Sequence, residues 1–236
     1  DHPRIKGIIN ALHEVLDRGD IRFFGNVRYG QDIDLEDLKK HYNAVIFATG
    51  AIKDAPLAIP GIDLDGSYGA ADFVNWYDAH PDVARSWPLN AKEVAVIGNG
   101  NVALDVARML VKRPDDLLAT DIPDHVYQGL RDSPVPDVHV FGRRGPAQVK
   151  FSPLELREAL HINGVQAIVY GEDFQYDQGS QDAIDSNNQI RVMVKTLEQL
   201  RANPQEPKER RLHLHFFASP VEVVGQDSKV AGLTIE

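Results

Sequence analysis

The chain has 236 residues, 43% of them hydrophobic, which allows one large domain or two small ones with a sizeable core. Its formal charge of −10 at pH 7 argues against general nucleic-acid binding, and the absence of cysteine excludes disulfides and cysteine-ligated metal sites within the chain. No apolar run approaches the length of a membrane span, and we expect a cytoplasmic protein.

Patterns over the first part of the chain predict helices and strands followed by a change of composition. An amphipathic helix is predicted over 5–17, and a second helix with an aspartate at its N-cap over 34–42. Apolar runs predict a short strand at 21–24 and a buried strand at 44–48. The stretch 56–66 is rich in Pro, Gly and Asp, which is typical of a crossing between domains.

The rest of the chain alternates predicted strands and helices. From 94 to 170 this alternation implies a parallel sheet covered on both faces. The polar stretch 171–189 is predicted to be a loop, and the last three strands are predicted to follow one another like hairpins. The predicted helices are 71–78, 101–112, 124–131, 152–160 and 190–202, and the predicted strands are 94–97, 138–141, 167–170, 212–217, 221–224 and 230–235.

The strand at 94–97 runs into the sequence Gly98-Asn99-Gly100-Asn101-Val102-Ala103, and a helix pattern follows at once. This G-x-G-x-x-A layout is typical of a dinucleotide-binding turn. The first glycine permits a tight turn, the second lets the backbone approach a pyrophosphate, and the small third residue lets helix and strand pack closely. The phosphates would lie at the helix N-terminus, where free N–H groups and the helix dipole favour negative charge. The alternative is a glycine turn with only a packing role.

The predicted strand at 138–141 is followed by Arg143 and Arg144, with no acidic residue at that point. NAD-binding turns place an acid there for the ribose 2′-hydroxyl, whereas in NADP-binding turns an arginine accommodates the 2′-phosphate. Guanidinium groups bind phosphate through two hydrogen bonds, so the pair favours NADP over NAD. The alternative is a solvated basic loop. The spacing from Gly98 to Arg143 exceeds the usual roughly 20 residues, which an insertion at 113–137 would explain.

The histidines do not predict a metal site. His213 and His215 would share one face of a strand, but no third ligand is apparent from their spacing in the sequence.

Several motifs together resemble the adrenodoxin reductase family, which includes bacterial ferredoxin–NADP reductases of the same type. The resemblance runs nearly end to end and is weakest over 171–210. It is carried by GNGNVALDVAR at 98–108, GRRGP at 142–146 and ELRE at 155–158, and also by DHP at 1–3, FGNV at 24–27, ATG at 48–50, IPG at 59–61 and DFVNWY at 72–77.

The resemblance implies an α/β fold with the Rossmann-like NADP-binding domain of glutathione-reductase-like two-domain flavoproteins. It implies a remnant of the FAD-binding domain over 1–55 and the NADP-binding domain over 56–236. It also implies an oxidoreductase with NADP and FAD as cofactors. NADPH passes a hydride to FAD, and the flavin releases single electrons to a ferredoxin.

The same resemblance implies roles for individual residues. Residues 99–102 line the pyrophosphate, Arg143 and Arg144 take the 2′-phosphate, and Glu155 lies beside the cofactor. The alternative for Glu155 is a helix cap, because it occupies the capping-box position after Ser152.

Three further residues are implied to lie near the flavin. The backbone at Val27 would touch FAD. His2 and Glu158 match a histidine and a glutamate near the meeting point of nicotinamide and flavin, where they handle protons or orient the cofactor. The alternatives are a core position for Val27, a disordered chain end for His2 and a solvated helix position for Glu158.

The chain departs from the family in ways that bear on FAD. The G-x-G-x-x-G that holds the FAD pyrophosphate is absent, as is the segment that closes over the flavin, and some members carry an arginine in place of Ala55. We therefore expect a piece of a longer protein that binds NADP(H) but does not catalyse electron transfer alone. Two other interpretations stay open: an NADP-binding module without redox activity, and the reductase subunit of a glutamate-synthase-like enzyme.

Overall fold

The computed structural model describes residues 7–50, 54–55 and 57–236. The chain divides into two compact units, one from His2 to Ile52 and the other from Lys53 to Glu236. We call them the N-terminal unit and the main unit.

The described part of the N-terminal unit contains two helices, α1 (Ile8–Asp17) and α2 (Leu35–His41). The predicted aspartate N-cap of α2 is confirmed. The side chain of Asp34 accepts a hydrogen bond from the Asp37 N–H at 2.8 Å, and the Asp37 side chain accepts one from the Asp34 N–H at 3.4 Å. This reciprocal pair satisfies two N–H groups that the helix itself leaves without acceptors.

The two strands predicted for this unit are wrong. Residues 21–24 and 44–48 are irregular, and the Ile46 side chain, predicted to be buried, is 88% exposed. A buried strand needs neighbouring strands to satisfy its backbone groups and layers to cover its faces. The described part of the N-terminal unit has no strand that could serve as such a neighbour.

The main unit is an α/β unit, which confirms the predicted fold class. Strands β1 to β4 form a parallel sheet in the order β1-β2-β4-β3, and β5 and β6 form an antiparallel pair. The strands are β1 (Glu93–Ile97), β2 (Asp137–Phe141), β3 (Val165–Val169), β4 (Arg210–His215), β5 (Pro220–Gln226) and β6 (Lys229–Ile235). The helices are α3 (Ala70–Tyr77), α4 (Asn101–Val111), α5 (Asp124–Arg131), α6 (Pro153–Leu160), α7 (Gln178–Ser186) and α8 (Asn188–Ala202).

Two predictions for the second half of the chain need correction. The hairpin succession holds only for β5 and β6, because β4 lies between β2 and β3 in the parallel sheet. The predicted loop over 171–189 contains α7, whose N-cap Asp177 accepts a hydrogen bond from the Ser180 N–H at 2.7 Å. A well-placed cap thus starts a helix in a segment whose polar composition is typical of loops.

The two faces of the parallel sheet differ in chemistry. On one face the side chains of β2 and β4 are aliphatic, at most 3% exposed, and part of the core that also contains residues of α4, α6 and α8: Val138, Val140, Leu212 and Leu214. Because side chains alternate along a strand, the intervening positions point to the opposite face: His139, Phe141, His213 and His215. Among the described residues that face is only partly buried. The prediction that both faces of the sheet are covered is therefore wrong for this face.

Candidate functional site

The predicted dinucleotide turn lies at the carboxyl end of β1. Gly98 has a φ of +143°, a backbone conformation that side-chain-bearing residues rarely adopt. Its N–H donates to the Phe141 carbonyl at 3.0 Å, which ties the turn to the end of β2. A Cβ on Gly98 would lie 3.5 Å from the Cβ of Ala103, so helix and strand are in van der Waals contact, as the motif predicts.

Helix α4 begins at Asn101, directly after the turn, and no side chain caps its N-terminus. The N–H groups of a first helical turn have no acceptor within the helix, so they are available to a ligand. Asn101 and Val102 are both exposed at this end. The free N–H groups and the helix dipole together suit a phosphate group.

Asn99 is fixed in the turn by a backbone hydrogen bond, while its side-chain amide donor has no partner among the described residues. Its backbone carbonyl accepts a hydrogen bond from the Lys150 N–H at 2.7 Å. Its side-chain nitrogen Nδ2 is buried and has no hydrogen-bond partner among the described residues. The amide lies against Gly142, where a Cβ would come within 2.5 Å of Nδ2. Because a buried unpaired donor costs about 1–3 kcal/mol, this amide is a group that a bound acceptor would satisfy.

Arg143 and Arg144 follow the end of the neighbouring strand β2. Their backbone is anchored, since the Gly142 N–H donates to the His215 carbonyl at 2.9 Å and the Ala218 N–H donates to the Gly142 carbonyl at 3.0 Å. Both arginine side chains are exposed, and neither forms a hydrogen bond or ion pair within the part of the chain that the structure describes. Since β1 and β2 are adjacent and parallel, two available positive charges lie at the same sheet edge as the glycine turn.

The start of α6 is joined to the same turn. The Ser152 N–H donates to Oδ1 of Asn101 at 2.9 Å, and the Ser152 hydroxyl oxygen accepts from the Glu155 N–H at 3.2 Å. The predicted serine N-cap is therefore confirmed. The Ser152 N–H, which a capping box would pair with the side chain at position 155, donates instead to Asn101.

Glu155 and Glu158 meet at one buried cation, Arg108 of α4. Arg108 is 2% exposed, its Nη1 donates to Oε2 of Glu155 at 2.6 Å, and its Nη2 lies 2.8 Å from Oε2 of Glu158. The Asp105 carboxylate lies 3.4 Å from Nη1. Charge-assisted hydrogen bonds of this kind are short and directional, so Arg108 fixes α6 on α4 and orients both glutamates. Neither glutamate side chain is simply a helix cap or a solvated group.

Arg108 has no role predicted from the sequence, although a signal was present. It lies four residues after Leu104 and three before Val111, and both of these side chains are fully buried. A charged residue on the buried stripe of a helix requires ionic partners from elsewhere in the chain. Burial, together with the positive charge of Arg108, also lowers the pKa of Lys112 to about 8.

Two predicted residues do not belong to the described part of the main unit. Val27 belongs to the N-terminal unit, and its side chain is 53% exposed, so the core interpretation is wrong. His2 lies outside the described residues. The predicted roles of both residues toward a flavin stay predictions.

Comparison with known proteins finds relatives that cover nearly the whole chain, although no family model matches it. The chain is 42% identical over 227 residues to the NADPH-ferredoxin reductase FprA of Mycobacterium leprae, an alignment that covers 96% of this chain and 50% of that protein. It is 35% identical over 245 residues to the mitochondrial NADPH:adrenodoxin oxidoreductase of Arabidopsis thaliana, which covers 100% of this chain and 51% of that protein.

The fold is similar to that of Mycobacterium tuberculosis FprA in complex with NADPH. The TM-score is 0.85 and the identity 37%, over 100% of this chain and 55% of that one. The chain thus spans about half the length of the relatives that it matches.

Proposed function

This chain belongs to the adrenodoxin reductase-type family of ferredoxin–NADP reductases, and on that premise we propose that it is the NADPH-binding part of a flavin-dependent oxidoreductase. In the proposed reaction NADPH gives a hydride to FAD, and the flavin passes single electrons to a ferredoxin. The names of the relatives support NADPH as the donor and a ferredoxin or adrenodoxin as the partner. The reaction is proposed for the protein that contains this chain.

In this proposal residues 99–102 hold the pyrophosphate, and Arg143 and Arg144 hold the 2′-phosphate. One observation carries it: two exposed arginines without partners among the described residues stand at the strand end beside the Gly98 turn. A site for NAD would place an acid at this point. The buried amide of Asn99 adds support, since a bound cofactor would supply the acceptor that it lacks.

The residues of this chain fit only part of an FAD site. The sequence contains one G-x-G-x-x-A turn, and we assign it to NADP(H), so no second turn of this kind is left for the FAD pyrophosphate. We propose that residues 1–55 are a remnant of the FAD-binding domain, with the backbone of Val27 as a contact, and that 56–236 form the NADP-binding domain. The division between compact units after Ile52, three residues before the proposed boundary, supports a two-part organisation of the chain. When bound, FAD supplies the redox centre that links two-electron and one-electron transfer.

We also propose that Glu155 and Glu158 face the cofactor from α6, with Arg108 as the residue that positions them. The ion pairs from Arg108 to both carboxylates support this assignment, because they restrict the rotamers of both side chains. His2 lies outside the described residues, and its role near the meeting point of nicotinamide and flavin stays a prediction.

Affinity and electron transfer test the proposal separately. NADP⁺ and NAD⁺ are titrated into the purified protein that contains this chain, and NADPH oxidation is followed with a ferredoxin as acceptor, before and after removal of FAD. We expect NADP⁺ to bind at least ~10-fold more tightly than NAD⁺, a difference of about 1.4 kcal/mol, and ferredoxin reduction to require FAD. Equal affinities would reject the NADP assignment. A preference for NADP⁺ without flavin-dependent reduction would instead favour a binding module without redox activity.

The location of the protein is a separate question. Among the helices that the structure describes, none combines the length and apolar character that crossing a membrane requires. The cytoplasmic location predicted from the sequence stays a prediction.

A further inference from the structure

Three histidines come together on the partly buried face of the parallel sheet. His213 and His215 are two residues apart on β4, so their side chains point to the same face. The register of β2 against β4 pairs His139 directly with His213. The third residue, which spacing along the sequence did not reveal, is therefore supplied by the neighbouring strand.

The imidazole nitrogens are close enough to share one ion. One ring nitrogen from each histidine lies within 4.8 Å of the others. Nδ1 of His139 and Nε2 of His215 share a hydrogen bond of 3.0 Å, which an ion bound between them would replace. With zinc–nitrogen bonds of about 2.0–2.1 Å, tetrahedral geometry sets the nitrogens roughly 3.3 Å apart. The distances between these nitrogens in the structure, from 3.0 Å to at most 4.8 Å, include that value. The imidazole planes are now nearly parallel, with 9° between His139 and His213 and 19° between His139 and His215. A shared ion therefore requires rotation of the partly exposed His139 and His215 rings, so that the lone pairs point at one position.

The surroundings of His213 resemble an outer shell around a metal ligand. Asp137 accepts a hydrogen bond from Nε2 of His213 at 3.2 Å, and the Arg211 guanidinium pairs with the same carboxylate. This contact places the proton on Nε2 and leaves the lone pair on Nδ1. The Tyr170 hydroxyl donates to Nδ1 at 2.8 Å. A metal ion would take this lone pair in place of the tyrosine proton, and the carboxylate–histidine pair would orient the ligand.

Solvent can reach the cluster. His215 and Tyr170 line a surface cavity of about 350 Å³ together with Glu172 and Asp173. The cavity is large enough and polar enough for water. Three protein nitrogens and one water molecule would give an ion four-coordinate geometry with one exchangeable position.

We propose that His139, His213 and His215 bind a divalent transition-metal ion, with zinc as the ion best suited to three neutral imidazoles and a water molecule. The ion would cross-link β2 and β4, with His139 and His213 in the middle of their strands and His215 at the end of β4, where its carbonyl accepts from the Gly142 N–H. The site is independent of the proposed redox function.

Metal titration of the protein that contains this chain, without a polyhistidine tag and after treatment with a chelator, tests the site. We expect one equivalent of Zn²⁺ to bind, and Co²⁺ to give the visible absorption of a four-coordinate ion. At about 100 times the dissociation constant, zinc should raise the melting temperature by about 5–10 °C. His139→Gln and His215→Gln should each weaken binding at least ~10-fold. His161→Gln is the matched control, because His161 is exposed and its side chain bonds, among the described residues, only to the Arg157 carbonyl of its own helix turn.

Several results would overturn the proposal: no stoichiometric zinc binding, equal loss in the His161→Gln control, or full affinity in both His139→Gln and His215→Gln. The Co²⁺ spectrum of the unmutated protein tests the site even if a variant fails to fold. A spectrum of six-coordinate aqueous type rejects the site, and the cluster is then only a hydrogen-bonded network linked through Asp137 and Tyr170.

Discussion

Replacing both Arg143 and Arg144 with alanine should weaken NADP⁺ binding strongly and NAD⁺ binding little. Both side chains are exposed and have no partner among the described residues, so their removal leaves no buried group unsatisfied. The stability of the folded protein should therefore change by no more than about 0.5 kcal/mol. A change in cofactor affinity can therefore be distinguished from a change in the stability of the fold.

The magnitude follows from the bonds to the 2′-phosphate. A hydrogen bond to a charged group is worth about 1.5–3 kcal/mol. Because the arginines are exposed and screened by salt, we take the lower value for each of them, which gives about 3 kcal/mol for the pair. That corresponds to a loss of about 100-fold in NADP⁺ affinity. NAD⁺ lacks the 2′-phosphate and should lose only the weak, screened attraction to its pyrophosphate, about twofold or less.

Isothermal titration calorimetry with NADP⁺ and NAD⁺ on the purified protein measures both affinities. Arg131→Ala is the charge-matched control for each single variant, Arg143→Ala and Arg144→Ala, because all three side chains are exposed and each substitution removes one positive charge. Rising ionic strength should reduce the preference of the unmutated protein for NADP⁺ and leave the double variant almost unaffected. Equal losses for the two dinucleotides, or an unchanged NADP⁺ affinity, would refute the assignment of the arginine pair.

Three other perturbations test the remaining features. Arg108→Met should lower the free energy of unfolding in urea by about 3 kcal/mol, because it leaves two carboxylates without their shared buried cation. Gly142→Ala should reduce NADP⁺ affinity about 10-fold, roughly the value of one hydrogen bond, because the new Cβ would lie 2.5 Å from Nδ2 of Asn99. The control Gly171→Ala has open space around it and should change nothing. In the metal-free protein the free energy of unfolding should fall as the pH drops from about 6.5 toward 4, because burial and the charges of neighbouring histidines lower the pKa of His215 to about 4.

Proton binding at His215 sets the direction of this pH dependence. Between these two pH values the unfolded chain binds a proton at His215 that the folded chain does not, so acid favours unfolding. A free energy of unfolding that does not vary over this pH range, or a His215→Gln variant with the same pH dependence, would contradict the prediction for His215.

A loss below about 1 kcal/mol in Arg108→Met would mean that the ion pairs are worth no more than surface pairs. Full NADP⁺ affinity in Gly142→Ala would remove Asn99 from the proposed site.

Local features were predictable because their causes lie within a few residues. The Gly98 turn depends on a glycine conformation followed by an uncapped helix, and the caps at Asp34 and Ser152 each act over three residues. The parallel sheet follows from the alternation of apolar strands with helices. The strand predicted at 44–48 failed because an apolar run becomes a strand only when other segments pair with it and cover it.

Sequence alone was sufficient to predict the fold class and to propose the dinucleotide turn and the arginine pair, since these depend on residue type and short spacing. Tertiary structure decided which distant residues meet. Arg108 bonds to Glu155 across a separation of 47 residues, and His139 bonds to His215 across a separation of 76. Such pairs are set by helix packing and strand register, which depend on the whole set of buried contacts and leave no fixed spacing in the chain.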